Sequence, residues 1–124
     1  MTTKSVSRTE KRGHGRLSVI NANGTNLRPL APSLEFRGGA SWSPDGKWIA
    51  IAADGGDGTH VFKIPLDGGE PIKLVDTLSY NPVWSPDGNL ILCSEQQGGS
   101  HFVLKAIRPI RHRYPSRTFQ RSTR

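Results

Sequence analysis

The sequence predicts an all-β fold, namely a partial β-propeller built from four-stranded antiparallel blades. Two observations support this prediction. Trp-Ser-Pro-Asp-Gly occurs at 42–46 and again at 84–88, and the offset of 42 residues falls in the range of a four-stranded blade. The composition agrees, because 14 Gly and 9 Pro among 124 residues suit short strands and tight turns better than long helices.

Each copy of the motif reads as a turn that leads into an apolar strand. The motif residues are Trp42, Ser43, Pro44, Asp45 and Gly46 in the first copy, and Trp84, Ser85, Pro86, Asp87 and Gly88 in the second. Ser, Pro, Asp and Gly stand in the order that a type I turn favours. Residues 47–53 then place apolar side chains on both faces, which is typical of a strand packed between neighbouring blades.

The strands around the two motifs predict one full blade between two incomplete ones. The full blade spans about 40–76 and contains the hairpin turn Asp67-Gly68. Residues 17–30 supply two strands around Asn23-Gly24, and residues 83–107 supply three. The prediction is therefore nine strands, in groups of two, four and three.

The basic charge of the chain is concentrated at its two ends. Residues 1–16 contain five basic side chains and one acidic one, and residues 108–124 contain six Arg and no acid. High charge with few apolar residues is typical of disorder. We therefore expect disordered ends at 1–16 and 110–124 on either side of a folded region at 17–109.

The repeat resembles the WD-like repeat of the TolB family over about 17–109. The family pattern is Trp-Ser-Pro-Asp-Gly-Lys, an apolar strand, a loop, a further strand and Asp-Gly, and the chain departs from it after Arg108-Pro109, where no such turn follows. The resemblance implies a non-catalytic repeat with a protein–protein interaction or scaffold role. Related propellers in oligopeptidases and receptor kinases leave open a part in a peptidase or a sensor region.

A closed propeller needs about four to eight blades, and the predicted strands complete only one of them. We therefore expect either a fragment of a larger TolB-like protein, truncated or frameshifted after residue 110, or a chain that assembles. Self-association or a protein partner would then cover the blade faces that remain open.

No catalytic residue or cofactor site is expected. The sequence has no Gly-x-Ser-x-Gly elbow and no phosphate-binding Gly loop. Trp42 and Trp84 are expected to pack between blades rather than to stack on a ligand. Asp45 and Asp87 are expected to bond backbone amides in their turns rather than to act as an acid–base pair.

The metal candidates are weak. Asp54 and Asp57 lie in a Gly-rich loop with some similarity to a calcium loop, but the remaining ligands of an EF-hand are missing, which favours a simple hairpin loop. Cys93 and the four histidines (14, 60, 101 and 112) show no metal-ligand spacing. A single cysteine excludes an internal disulfide, and we expect Cys93 to be buried in a strand.

The Arg-rich tail also allows a nucleic-acid hypothesis, because Tyr114 and Phe119 stand among its arginines. No nucleic-acid-binding fold accompanies it, so a solvated tail is favoured. The first twenty residues lack the apolar stretch of a signal peptide, and the run 48–53 is too short to span a bilayer. The sequence as it stands predicts a cytoplasmic chain, while a TolB-like parent leaves a periplasmic or extracytoplasmic location open.

Overall fold

The computed structural model describes residues 4–11 and 14–109, with side chains described from residue 15 onwards. Ten strands and no helix occur among these residues. The strands are β1 (Lys4–Lys11), β2 (His14–Asn21), β3 (Arg28–Leu30), β4 (Glu35–Trp42), β5 (Trp48–Asp54), β6 (Thr59–Pro65), β7 (Ile72–Lys73), β8 (Ser79–Trp84), β9 (Ile91–Gly98) and β10 (His101–Ile107). Within this part of the chain, no helix has the length and apolar character needed to cross a membrane.

The strands form three antiparallel sheets in which neighbours in sequence are neighbours in space. The first sheet contains β1–β3, the middle sheet contains β4–β7 and the third sheet contains β8–β10. The all-β prediction is confirmed, and the middle sheet is a complete four-stranded blade. Its first strand begins at Glu35, before the predicted boundary at 40, because β4 continues across two register shifts around Gly38.

The N-terminal region differs from its prediction. The sequence predicts disorder over 1–16, yet Lys4–Lys11 form β1 and pair with β2 from Lys4↔Asn21 to Lys11↔His14. The high charge suggested disorder, but backbone pairing along all eight residues of β1 stabilises an extended strand. The strand groups are therefore three, four and three rather than two, four and three. The predicted disordered tail at 110–124 lies outside the described residues.

The middle sheet is covered on both faces. Ile49 and Ile51 belong to the larger core, which also contains Leu17 and Val19 of the first sheet. Val61 belongs to a second core with Cys93 of the third sheet. The five central residues of β5 are all buried. This agrees with the sequence-based prediction of a strand that packs through both of its apolar faces.

Candidate functional site

The first Trp-Ser-Pro-Asp-Gly turn is closed by one side-chain network. The Ser43 hydroxyl donates to Asp45 Oδ1 at 2.6 Å and accepts from the backbone N–H of Trp48 at 3.0 Å. Asp45 Oδ1 also accepts from the backbone N–H of Lys47 at 3.0 Å. Gly46 has a φ of 75°, in the left-handed region that favours glycine. The network fixes the turn that joins β4 to β5.

The second turn repeats this geometry on the third sheet. The Ser85 hydroxyl donates to Asp87 Oδ1 at 2.7 Å and accepts from the backbone N–H of Leu90 at 3.0 Å. Asp87 Oδ1 accepts from the backbone N–H of Asn89 at 3.0 Å. Each aspartate therefore makes the turn contacts expected from the sequence.

These contacts lower the pKa of both aspartates. The Ser43 hydroxyl and then the Lys47 amide lower the pKa of Asp45 below its ordinary 3.8, and the Asn89 amide and then Ser85 do the same for Asp87. An aspartate whose pKa is lower in the folded chain than in the unfolded chain stabilises the fold at pH values above its ordinary pKa. This stabilisation is lost as the pH falls through the lowered pKa of the folded chain.

We expect the double substitution Asp45→Asn and Asp87→Asn to lower the unfolding midpoint at pH 7 and to change it little near pH 2, because the lost charge matters only where aspartate is ionised. Urea unfolding of both proteins across this range checks the prediction. An equal difference in midpoint at both pH values would contradict it.

The two motif tryptophans lie at different contacts between sheets. Trp42 packs against the core shared by the first and middle sheets. Trp84 lies at a cavity of about 260 Å³ with Pro44, Trp48 and Lys63 of the middle sheet. Its indole Nε1 is buried and has no hydrogen-bond partner among the described residues. Both positions agree with packing between blades, and the two rings do not form a stacking pair in the described contacts.

Both carboxylates of the loop that contains Asp54 and Asp57 make hydrogen bonds, one within the loop and one to β7. Asp54 Oδ1 accepts from the backbone N–H groups of Gly56 at 2.8 Å and Gly58 at 3.2 Å. Asp57 Oδ2 accepts from Lys73 Nζ at 2.8 Å, and this contact is the main cause of the lowered pKa of Asp57. The described residues contain no group of three or more His, Cys, Asp or Glu side chains suited to a metal. In these contacts the loop is a hairpin whose two carboxylates bond backbone amides and Lys73.

His60 and Cys93 are both buried. His60 Nδ1 lies 3.0 Å from the carbonyl oxygens of Val75 and of Thr77, which anchors the segment after β7. Cys93 is 1% exposed, as expected, and burial raises the pKa of its thiol to about 11, with a smaller contribution from Glu95. The side chain of His14 and the whole of His112 lie outside the described residues.

Cys93 is therefore expected to react slowly with thiol reagents in the folded chain at pH 8 and quickly after denaturation, because the thiolate is the reactive form. Absorbance of a released chromophore, followed with and without guanidinium, measures both rates. Similar rates in the two conditions would contradict the burial of Cys93.

The third sheet has one covered and one uncovered face. Along β9, Ile91, Cys93 and Glu95 are buried towards the middle sheet, whereas Leu92 is 39% exposed. The strand register places further residues on the side of Leu92. The residues of this uncovered face are Tyr80, Val83, Leu92, Ser94, Gln96, Phe102, Leu104 and Ala106.

The uncovered face collects most of the exposed apolar side chains. Among the described residues, Val83 is 55% exposed, Phe102 is 51% and Leu104 is 74%. With Leu92, these are four of the five large apolar side chains that are exposed in this part of the chain, and the fifth is Leu27 in the first sheet's turn region. None of the residues of the uncovered face is charged. Such a concentration on one face indicates a contact surface.

The repeat explains why this face is apolar. Leu92 pairs with Ala106 as Ala50 pairs with Lys63, and Leu104 pairs with Ser94 as Val61 pairs with Ala52. Leu92 and Leu104 are therefore the counterparts of Ala50 and Val61, which are both 0% exposed because the third sheet covers them. The uncovered face is thus a blade face without a neighbouring blade among the described residues. The offset of 42 residues already aligns Leu92 with Ala50. The strand register is needed to show that these apolar residues lie together on one face.

A cavity of about 370 Å³ adjoins the uncovered face near the meeting of β4 and β8. Tyr80 and Phe102 line it and meet edge to face with ring centroids 5.8 Å apart. Arg37 also lines it and lies 3.5 Å from Glu35 and 3.4 Å from Asp54. Aromatic side chains together with arginine are typical of protein interfaces.

Known proteins resemble this chain mainly in fold. No family model matches the chain. An uncharacterized peptidase of Bacillus subtilis (strain 168), YuxL, is 41% identical over 61 residues, which is 46% of this chain and 9% of the relative. The chain thus spans a small part of this curated relative.

Two solved structures are similar over most of the chain. TolB from Acinetobacter baumannii superimposes with a TM-score of 0.71 and 15% identity, covering 84% of this chain and 27% of that one. A provisionally named TolB from Agrobacterium tumefaciens gives 0.74 and 13%, covering 86% and 42%. The chain therefore has the TolB-like β-propeller fold, represented by three neighbouring sheets.

Proposed function

We propose that this chain is a non-catalytic propeller repeat that binds protein through the uncovered face of the third sheet. The observation that supports the proposal is the exposure of Val83, Leu92, Phe102 and Leu104 on one uncharged face. Fully burying an exposed side chain of this size contributes about 1.5–3 kcal/mol, and these four are 39–74% exposed, so covering them can offset part of the cost of association.

The polar contacts support a non-catalytic role. Asp45, Asp54 and Asp87 use their carboxylates to bond backbone amides of their own loops. His60 bonds two backbone carbonyls with one ring nitrogen. These groups stabilise turns and connections. The serine hydroxyls that donate to Asp45 and Asp87 also accept from backbone N–H groups of the same turns, so they take part in the turn networks.

One observation favours a second candidate, a propeller part of a peptidase, namely the 41% identity to YuxL over 61 residues. The two functions are separated by fusing the chain to a peptidase domain and measuring how the rate of hydrolysis depends on the size of the peptide. The peptidase candidate requires that the propeller changes the size selectivity of the hydrolase, whereas the binding proposal requires no effect on hydrolysis.

A photo-crosslinking amino acid at position 104 tests the binding proposal in the cells that make the chain. Leu104 is 74% exposed on the uncovered face, and Leu27, which is 64% exposed in the first sheet's turn region, provides a matched control position. We expect protein adducts from position 104 and none from position 27, whether the captured protein is this chain or another. A folded variant that gives no adduct at 104, or equal adducts at both positions, would contradict the proposal.

A further inference from the structure

We propose that the outer edge of the third sheet binds an extended segment of a partner protein, which adds to β10 as a fourth strand. In the described residues the middle sheet has four strands, whereas the third sheet has three and ends at β10. An exposed strand edge can pair with an extended segment of another protein through backbone hydrogen bonds. Strand addition at this edge goes beyond the proposed function, which concerns the face of the same sheet.

Among the described residues, β10 is the sheet edge best suited to pair with another strand. The edges at β3 and β7 are only three and two residues long. The edges at β4 and β8 are interrupted by register shifts, and β1 has four charged residues among eight. By contrast, β10 is regular from Phe102 to Ile107, and Lys105 is the one charged residue in that stretch. Short length, irregular pairing and charge all discourage strand addition, and β10 has little of any of them.

The repeat shows which backbone groups of β10 face this edge. Leu104 occupies in β10 the position of Val61 in β6. The carbonyl of Val61 points away from β5 and accepts from the N–H of Leu74, directly after β7, at 2.9 Å. The corresponding carbonyl of Leu104 has no strand beside it in the described part of the chain. Because backbone groups alternate in direction along a strand, Phe102 and Ala106 also direct their N–H and C=O groups to this edge.

The residues after β10 do not repeat the hairpin that supplies the fourth strand of the middle sheet. There, the chain turns at Asp67-Gly68, and β7 pairs back onto β6. The strand register aligns Ile110-Arg111 with this turn and Pro115 with Ile72. Ile72 pairs with Lys63, and a proline has no N–H to donate in such a pair. These differences favour a partner protein as the source of the fourth strand.

The register of β7 on β6 specifies the chemistry of the added segment. The residue that lies opposite Lys73 has Lys105 as its counterpart in β10. The Lys105 side chain is 44% exposed, although it lies 3.4 Å from Glu95. An acidic residue opposite Lys105 would stabilise the pairing of the two strands. The residues on either side of it would lie beside Leu104 and Ala106 on the uncovered face, where apolar side chains fit. The partner segment is therefore extended and has an acidic residue between two apolar ones.

Nuclear magnetic resonance titration of the 124-residue chain with synthetic peptides tests the proposal. The probe has the sequence of residues 69–76, which contain β7, with the substitution Lys73→Glu. We expect the amides of Leu104 and Ala106, which point to the edge, to shift most. The amide of Val103 points to β9 and should shift less, so an alternating pattern along β10 distinguishes strand addition from contact with the face.

The charge and the backbone of the peptide are tested separately. The Lys73→Glu peptide should bind about two- to tenfold more tightly than the unchanged peptide, and Lys105→Gln in the chain should abolish this preference. Methylation of the Leu74 nitrogen in the peptide removes the donor that Val61 O accepts in the middle sheet, and it should weaken binding by about tenfold. Lys105 is exposed, so Lys105→Gln should keep the wild-type circular dichroism.

An absence of amide shifts at the highest soluble concentration of the peptide would overturn the proposal. Equal binding of the methylated peptide would do so too, because contact with the apolar face would then suffice without backbone pairing. Slow hydrogen exchange at the Leu104 and Ala106 amides of the free chain would also overturn it, since the chain itself would then occupy this edge. If the peptide fails to bind and position 104 still forms adducts, the proposed function stands without strand addition.

Discussion

Replacement of Ile49 by Ala is expected to lower the free energy of unfolding by about 2–5 kcal/mol. Ile49 is 0% exposed and lies in the core between the first and middle sheets, with Leu17, Val19 and Phe36 in the same cluster. The truncation removes apolar contacts and leaves a cavity that a close-packed interior between two sheets fills only in part. Small domains have a total stability of about 5–15 kcal/mol, so this loss is large.

Urea unfolding followed by circular dichroism measures the effect of Ile49→Ala. Leu27→Ala is the matched control, because Leu27 is 64% exposed and its truncation is expected to change the free energy of unfolding by about 0.5 kcal/mol or less. Equal effects of the two substitutions would contradict the burial of Ile49 between sheets.

The second large effect is expected for Ser43→Ala, which should cost about 1–3 kcal/mol. Ser43 is 5% exposed, and its hydroxyl accepts from the backbone N–H of Trp48 while it donates to Asp45. Alanine removes both bonds and leaves the Trp48 amide without this partner at the start of the central strand β5.

The same unfolding experiment measures Ser43→Ala against Ser100→Ala, which changes an exposed serine in the turn between β9 and β10. Only the first substitution should shift the midpoint clearly. Ser85→Ala adds a second comparison, since its hydroxyl makes the same two bonds in a more exposed turn, and we expect a smaller loss there. A loss for Ser100→Ala as large as that for Ser43→Ala would count against the role of the turn network.

The sequence predicts the middle blade well because its signals are local. The Ser-Pro-Asp-Gly turn specifies its own hydrogen bonds, and β5 alternates apolar residues towards both faces, so both features follow from neighbouring residues. The burial of Cys93 follows in the same way from its alignment with Ile51 in the repeat. The boundary near Glu35 is less accurate, because the bulges around Gly38 interrupt the pairing pattern without ending the strand.

The features that the sequence did not predict depend on contacts between distant segments. Strand β1 forms by pairing with β2, although the charges of 4–11 suggest disorder. Charge density does not show that β2 offers an unpaired strand edge with which residues 4–11 can pair. The uncovered face emerges only when Leu92 and Leu104 are seen to lie together, through the register of β9 and β10. The cavity lined by Arg37 and Phe102 depends on the approach of the middle and third sheets.

Amide hydrogen exchange at single-residue resolution tests most directly whether the middle sheet is covered on both faces and the third sheet on one. The strands with the most buried residues should open least often, whereas strands with uncovered faces open more easily. We expect the slowest exchange at hydrogen-bonded amides of β5 and β6, and clearly faster exchange along β10, where Phe102 and Leu104 are exposed. Amides of β5 that exchange as fast as those of β10 would contradict this arrangement of the three sheets.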